Sequence, residues 1–142
     1  MHRAIINNRD MYYDFGLVMT DKKISTAVPN IYKQTVPGRN GDLDYTDFYG
    51  DITFSNRSID VEFKKLVDEN SKKLQYYFDS TINGREIKIS FTDDPRYYWK
   101  GRCKIEENDD NGKIYTLSIK IDAYPKKFKR VDDTEVNVTD YV

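Results

Sequence analysis

The chain has 142 residues, 38% of them hydrophobic and 33% charged, with a formal net charge of −1 at pH 7. That length serves one domain with a single core, and twelve Tyr and seven Phe carry much of its bulk. The near-neutral charge removes the global basic field on which non-specific nucleic-acid binding depends, and the lone Cys103 excludes an internal disulfide or a thiolate zinc site within one chain.

Ile5 and Ile6 followed by Asn7 and Asn8 read as a short strand entering a turn. A second strand is predicted over 15–20, ended by Asp21, Lys22 and Lys23 as a solvated break. A third, around 31–36, alternates only loosely, which predicts a strand that is exposed or that pairs with another chain. It leads into a corner, Val36, Pro37, Gly38, Arg39, Asn40 and Gly41. Pro37 presets φ for the second position of a turn, and the glycines supply positive φ on either side of Arg39 and Asn40, so the loop is tight and rigid.

Asp42, Leu43 and Asp44 resume alternation, and the pattern sharpens after Tyr49, Gly50 and Asp51. Ile52 and Phe54 share one face; then Ile59, Val61 and Phe63 oppose Ser58, Asp60 and Glu62, the signature of a half-buried strand. Arg57 opens that strand, and its guanidinium is expected to reach back to a loop carbonyl or carboxylate. Between 64 and 83 the period changes. Leu74, Tyr77, Phe78 and Ile82 fall at helical spacing, with Asn70 or Ser71 as the cap and Gly84 as the stop.

Strand returns over 86–91, with Ile87, Ile89 and Phe91 inward, and Asp93, Asp94 and Pro95 make a turn. Tyr97, Trp99, Gly101, Cys103 and Ile105 then line one face, and Tyr98, Lys100, Arg102 and Lys104 the other. Residues 106–112 read as a polar loop with Asn111 and Gly112 as a primed-turn pair, leading to the longest alternating run, Tyr115, Leu117, Ile119, Ile121 and Ala123. After Pro125 the pattern stops. Lys126, Lys127, Lys129 and Arg130 read as a solvated basic linker, followed by an acidic tail in which only Val136 and Val138 alternate. The predicted organisation is one mainly β, α+β domain over 1–125 with a single helix packed on its sheet, and a C-terminal tail over 126–142.

Catalysis has little to build on. His2 is the only histidine and sits at the terminus, so no Ser-His-Asp relay or histidine metal site can be assembled from it. Cys103 falls on an apolar face without a histidine partner and reads as a core residue. The carboxylates at Asp42 and Asp44, at Asp93 and Asp94, and over 106–110 lie in predicted turns, where Asp serves its own backbone. A calcium loop begun at Glu107 would place Ser118 where a bidentate Glu is needed, and the glycines at 38 and 41 lack the Lys-Ser/Thr of a phosphate cradle. The expectation is no enzyme, no cofactor and no metal. No apolar run approaches the roughly 18–20 residues of a membrane-spanning helix, and residues 1–10 lack the apolar centre of a secretory signal. Synthesis and folding in a reducing cytoplasm are expected, and the sequons at Asn56 and Asn137 carry no meaning there.

Four groups of residues recur in an informative order. They are Pro37, Gly38, Arg39, Asn40, Gly41 and Leu43; then Gly50; then Arg57, Ile59, Val61 and Phe63; and then Asp93, Asp94, Pro95, Tyr97, Tyr98, Gly101 and Arg102 ahead of the strand ending near Tyr124 and Pro125. In this order and spacing the sequence resembles the N-terminal domain of the distal tail proteins of long-tailed, non-contractile phages, the siphovirus tail component family, over roughly residues 5–125. The resemblance implies a split-barrel, tube-like sandwich of antiparallel strands with one helix. It implies a homo-oligomer, a six-membered ring that joins the tail tube protein to the tail-associated and tip proteins of the baseplate, with DNA only in transit through its channel and no membrane partner. The location implied is the virion tail tip of a phage or prophage, after synthesis in the host bacterial cytoplasm. The loop from Pro37 to Leu43 and the strand begun by Arg57 would then be structural or interface elements, and the channel wall neutral or acidic. Many relatives continue into a second, sandwich-like, host-binding domain that has no counterpart in these residues. Two other classes remain: a carbohydrate- or receptor-binding β module that stacks a glycan on the exposed member of Tyr97, Tyr98 and Trp99, and a small hydrolase built on the Asp pairs.

Overall fold

The longest alternating runs become the longest strands. The computed structural model of the chain describes residues 2–48, 50, 52–131 and 133–135; Tyr49 and Asp51 of the glycine link, and Val136, Asn137 and Val138 of the tail, lie outside the described residues. In chain order the elements are β1 (Ala4–Ile6), β2 (Arg9–Asp10), β3 (Val18–Ile24), β4 (Lys33–Thr35), β5 (Asp42–Asp44), β6 (Arg57–Leu66), α1 (Ser71–Thr81), β7 (Glu86–Phe91), β8 (Tyr97–Asp110), β9 (Ile114–Ala123) and β10 (Phe128–Lys129). One antiparallel sheet runs β2-β1-β7-β8-β9-β6-β3, with β10 also on β8, and β4 and β5 form a separate two-stranded ribbon. The mainly β, α+β expectation holds.

Register puts every second residue of the central strands into one core. Cys103, Ile121 and Ile59 lie in one row across β8, β9 and β6, and Ile105, Ile119 and Val61 in the next. Ile59, Phe63, Cys103, Tyr115, Leu117 and Ile121 are fully buried, each apolar side chain contributing about 1.5–3 kcal/mol relative to exposure. The sheet curls. Lys22 of β3 pairs at 2.6 Å with Asp93, just past β7, and its Nζ stands 4.6 Å from the centroid of the Phe91 ring, so the flanks approach across the core. No ladder joins β3 to β2 among the described residues, so the barrel is left open. Met11 and Leu17, both buried, and Phe15, whose ring lies 5.2 Å from that of Phe78 on α1, plug one end.

Helix α1 presents Phe78 to the core, with Ile82 buried just beyond its end and Leu74 partly buried, as its spacing predicts. Asn70 occupies the N-cap position but makes no side-chain cap. The turn is held instead by Asp68, which accepts from the Asn70 amide at 2.9 Å, while Ser71 Oγ accepts from the Asp68 amide at 3.0 Å.

Several predicted boundaries move for identifiable reasons. Asp21, Lys22 and Lys23 are part of β3, not a break, because an edge strand carries charge: Asp21 and Lys23 face solvent and Lys22 has Asp93. A register irregularity between Met19 and Asp21 further blunts that edge. Phe54 makes only an isolated bridge to Pro29, and Ile52 is exposed, so the shared face expected of them is not a strand of the main sheet. Residues 106–110 continue β8 instead of looping. Their polar side chains are used: Asn108 accepts from the Tyr115 hydroxyl and donates to the Gln75 carbonyl at 3.0 Å, and Asp110 meets Gln75 at 3.2 Å. The reversal falls on Gly112 and Lys113, with positive φ at Gly112, and the Asn111 side-chain oxygen accepts from the amides of Lys113 and Ile114 at 3.0 and 2.9 Å. The basic segment after Pro125 is no solvated linker. Phe128 and Lys129 pair with Tyr98 and Tyr97 where β9 leaves off, and the Phe128 ring stacks on Tyr98 at 5.5 Å.

Candidate functional site

Between β3 and β6, the described residues from 26 to 56 leave the sheet and form an arm. Its stem is clipped by the Ser55 amide to the Val28 carbonyl and the Asn30 amide to the Thr53 carbonyl, at 2.9 and 2.8 Å. Asn30 adds side-chain bonds to Thr53 and Ser55. Beyond it, β4 and β5 pair Lys33 with Asp44 and Thr35 with Asp42, and the rings of Tyr32 and Tyr45 stack at 6.0 Å. The tip turns as its residues require: the Arg39 amide bonds the Val36 carbonyl at 3.2 Å across Pro37 and Gly38, with φ of 78° at Gly38, a type II turn. Asp44 accepts from both the hydroxyl and the amide of Thr46, which, with Lys33 nearby, holds its carboxyl below the usual range.

The arm is apolar and uncovered. Of the fifteen large hydrophobic side chains exposed among the described residues, seven lie here: Val28, Ile31, Tyr32, Leu43, Tyr45, Phe48 and Ile52. Phe48 is 73% exposed. Such a concentration in about a fifth of the chain marks an interaction surface more than scattered exposure does. Asp42 and Asp44 stand on β5 beside Leu43, all exposed.

At the arm's root the core opens into a mouth of about 370 Å³ between β3, β6 and the turn after β7. Its floor is Phe91, Trp99 and Ile24, and its rim carries two ion pairs, Lys22 with Asp93 at 2.6 Å and Lys127 with Asp94 at 2.5 Å. Hydrogen bonding by Lys22 keeps the Asp93 carboxyl below its usual range despite opposing desolvation. Arg57 belongs to the inward face of β6, in a row with Ala123 and Gly101. Those small neighbours leave floor space, and the guanidinium carbon sits 5.2 Å from the centroid of the Trp99 ring. Its Nε is buried without a hydrogen-bond partner.

The structure therefore brings Arg57 and Trp99 together and leaves Pro37, Gly38, Arg39, Asn40, Gly41 and Leu43 at the arm tip. Among the described residues, the expected reach of Arg57 to a loop carbonyl or carboxylate is not made. Tyr97 lies beneath Lys127, whose Nζ is 4.5 Å from its centroid. Tyr98, on the face it shares with Lys100, Arg102 and Lys104, is 8% exposed because Phe128 covers it, and its hydroxyl donates to Asp133 at 2.7 Å. With Trp99 at 9%, neither ring offers a free stacking platform. Sequence reasoning missed that Lys22, Phe91 and Lys127 line the same mouth as Arg57 and Trp99. Their one signal was the Asp93-Asp94 pair, whose lysines lie far away along the chain.

Burial pushes the Cys103 thiol up to about 12, which keeps it protonated and inert as a nucleophile at neutral pH. Among the described residues no group of three or more His, Cys, Asp or Glu side chains could hold a metal, and no helix is long and apolar enough to cross a membrane.

No family profile matches the sequence, and no curated protein matches it. Among solved structures the chain is similar to the Dit protein of phage SPP1, described as a paradigm of the hub adsorption apparatus in phages that infect Gram-positive bacteria. The TM-score is 0.63 at 18% identity, over 91% of this chain and 52% of that one. This likeness shows the fold, and the chain spans about half the length of that protein.

Proposed function

We propose that this chain is a structural subunit of a phage tail tip, a distal hub component whose copies close into a ring between the tail tube and the adsorption apparatus. The exposed apolar arm carries the reading. A two-stranded ribbon is marginal by itself in water, and burying its face against a neighbour removes that cost. A contact between the arm and a different surface of the next copy is heterologous, the kind of contact that forms a ring when its rotation closes. The fold of the SPP1 hub protein supports the same assignment.

In this reading the work is mechanical, without catalysis or cofactor. Partners are further copies of the chain, the tail tube protein and the tip proteins, and DNA only passes through. The solvent face of the sheet suits that role. Glu86, Arg102 and Asp122 form one row of alternating sign, and Asp60 stands beside Lys120 and Lys104 in another, so no broad basic field holds a polyanion. Light scattering and negative-stain microscopy of the purified chain test the proposal. A closed particle several times the 16.8 kDa monomer is expected, and a monomer at every concentration reached overturns it.

A further inference from the structure

Arg57 is an anomaly in the core face of β6. Its neighbours along that face, Ile59, Val61 and Phe63, are buried and apolar, and its own Nε is desolvated with no acceptor among the described residues. Leaving such a donor unmet is unfavourable, and more so on a charged group. The other two cations of the mouth already have carboxylates, Lys22 with Asp93 and Lys127 with Asp94. What the mouth lacks is one more acceptor, delivered over an apolar floor of Trp99, Phe91 and Ile24.

The arm offers that combination. On β5, Asp42 and Asp44 present carboxylates from a strand whose Leu43 is exposed, with Tyr45 next to it. Within its own protomer the arm does not use them on Arg57: Asp42 accepts from Thr35 and Asp44 from Thr46, and among the described residues β4 and β5 pair only with each other. A carboxylate has about four acceptor positions, so both retain capacity for a guanidinium.

We propose that the mouth around Arg57 and Trp99 is the receptor for the β5 edge of the arm of a second copy of this chain. An Asp42 or Asp44 carboxylate accepts from Arg57, and Leu43 and Tyr45 cover the floor. This rests on the ring reading above and adds which two surfaces meet. Because arm and mouth are different surfaces, each protomer gives one arm and receives another.

Charge exchange tests it. One variant carries Arg57→Glu with the natural arm, the other Asp42→Arg and Asp44→Arg with the natural mouth. Each alone is expected to weaken self-association about tenfold or more, since removing one partner of a buried charge pair acts on dissociation. Mixed, they pair alternately with every contact of opposite sign, and association returns to within about threefold of the natural chain. Arg57→Gln, which removes the charge without introducing an opposite one, guards against a folding defect and is expected to show the same weakening with an unchanged circular dichroism spectrum. Trp99 is the only tryptophan, so its emission reports the mouth directly and is expected to shift as the natural chain assembles. Assembly with an unchanged Trp99 emission, or Arg57→Gln assembling like the natural chain, overturns the docking while leaving the ring standing. A natural chain that never leaves the monomer overturns both.

Discussion

Strand β6 and the arm that precedes it are written in the same alternating style and end in opposite environments. In β6, Ile59, Val61 and Phe63 are at most 3% exposed, because β9 and β3 flank the strand and α1 and the opposite flank of the sheet cover its face. In the arm, Leu43 and Tyr45 alternate with Asp42 and Asp44, and none of the four is buried. Alternation thus specifies that a strand has two unlike faces, while burial needs a second surface. The body supplies one from its own chain, and the arm does not.

The contrast can be broken by disturbing each side in turn. Phe63→Ala, which empties a fully buried site in β6, is expected to cost about 3–5 kcal/mol in urea unfolding, whereas Leu43→Ala should stay within about 0.5 kcal/mol of the natural chain while weakening its assembly. Equal losses at the two sites would abolish the distinction. Gly101→Ala tests the close approach of β8 and β9. A Cβ there would stand 2.3 Å from the Asp122 carbonyl oxygen, so the strands must separate, at an expected cost of about 1–3 kcal/mol.

Alkaline pH probes the body alone. The Cys103 thiol titrates near 9 when unfolded and at about 12 when folded, raised by desolvation, so the folded chain holds its proton through that window. Stability from this group is complete below about 9 and is lost as pH rises toward 12, at a slope approaching 1.4 kcal/mol per pH unit, roughly one proton's worth. Cys103→Ala should flatten the profile between pH 9 and 10, and an unchanged slope would show that the thiol titrates freely. The smallest effect is expected at the arm tip. Gly38 has φ of 78°, so Gly38→Ala strains the turn by about 1 kcal/mol, seen as faster amide exchange over 36–44 with no shift in the global unfolding midpoint.

The physical reasons for what the sequence disclosed are local. Period two over 59–63 and 115–123, helical spacing from Leu74 to Ile82 and positive φ at Gly38 and Gly41 all follow from backbone geometry and neighbouring side chains, and each is found where the residues place it. Charged Asp21, Lys22 and Lys23 misread as a break, because propensity cannot see that an edge strand tolerates charge and that Lys22 faces Asp93 across the core. Phe128 misread as linker for the same reason: Tyr98, thirty residues earlier in the sheet, gives it a surface.

By itself, then, the sequence determined a mainly β domain, its helix, its principal core strands and the glycine-proline corner, since these depend on contacts a few residues apart. Tertiary structure alone decided that the barrel stays open, that the arm stands clear of the sheet and that Arg57 lies over Trp99 with an unmet donor. Those outcomes depend on which distant segments find one another across the core, and no periodicity along the chain encodes that pairing.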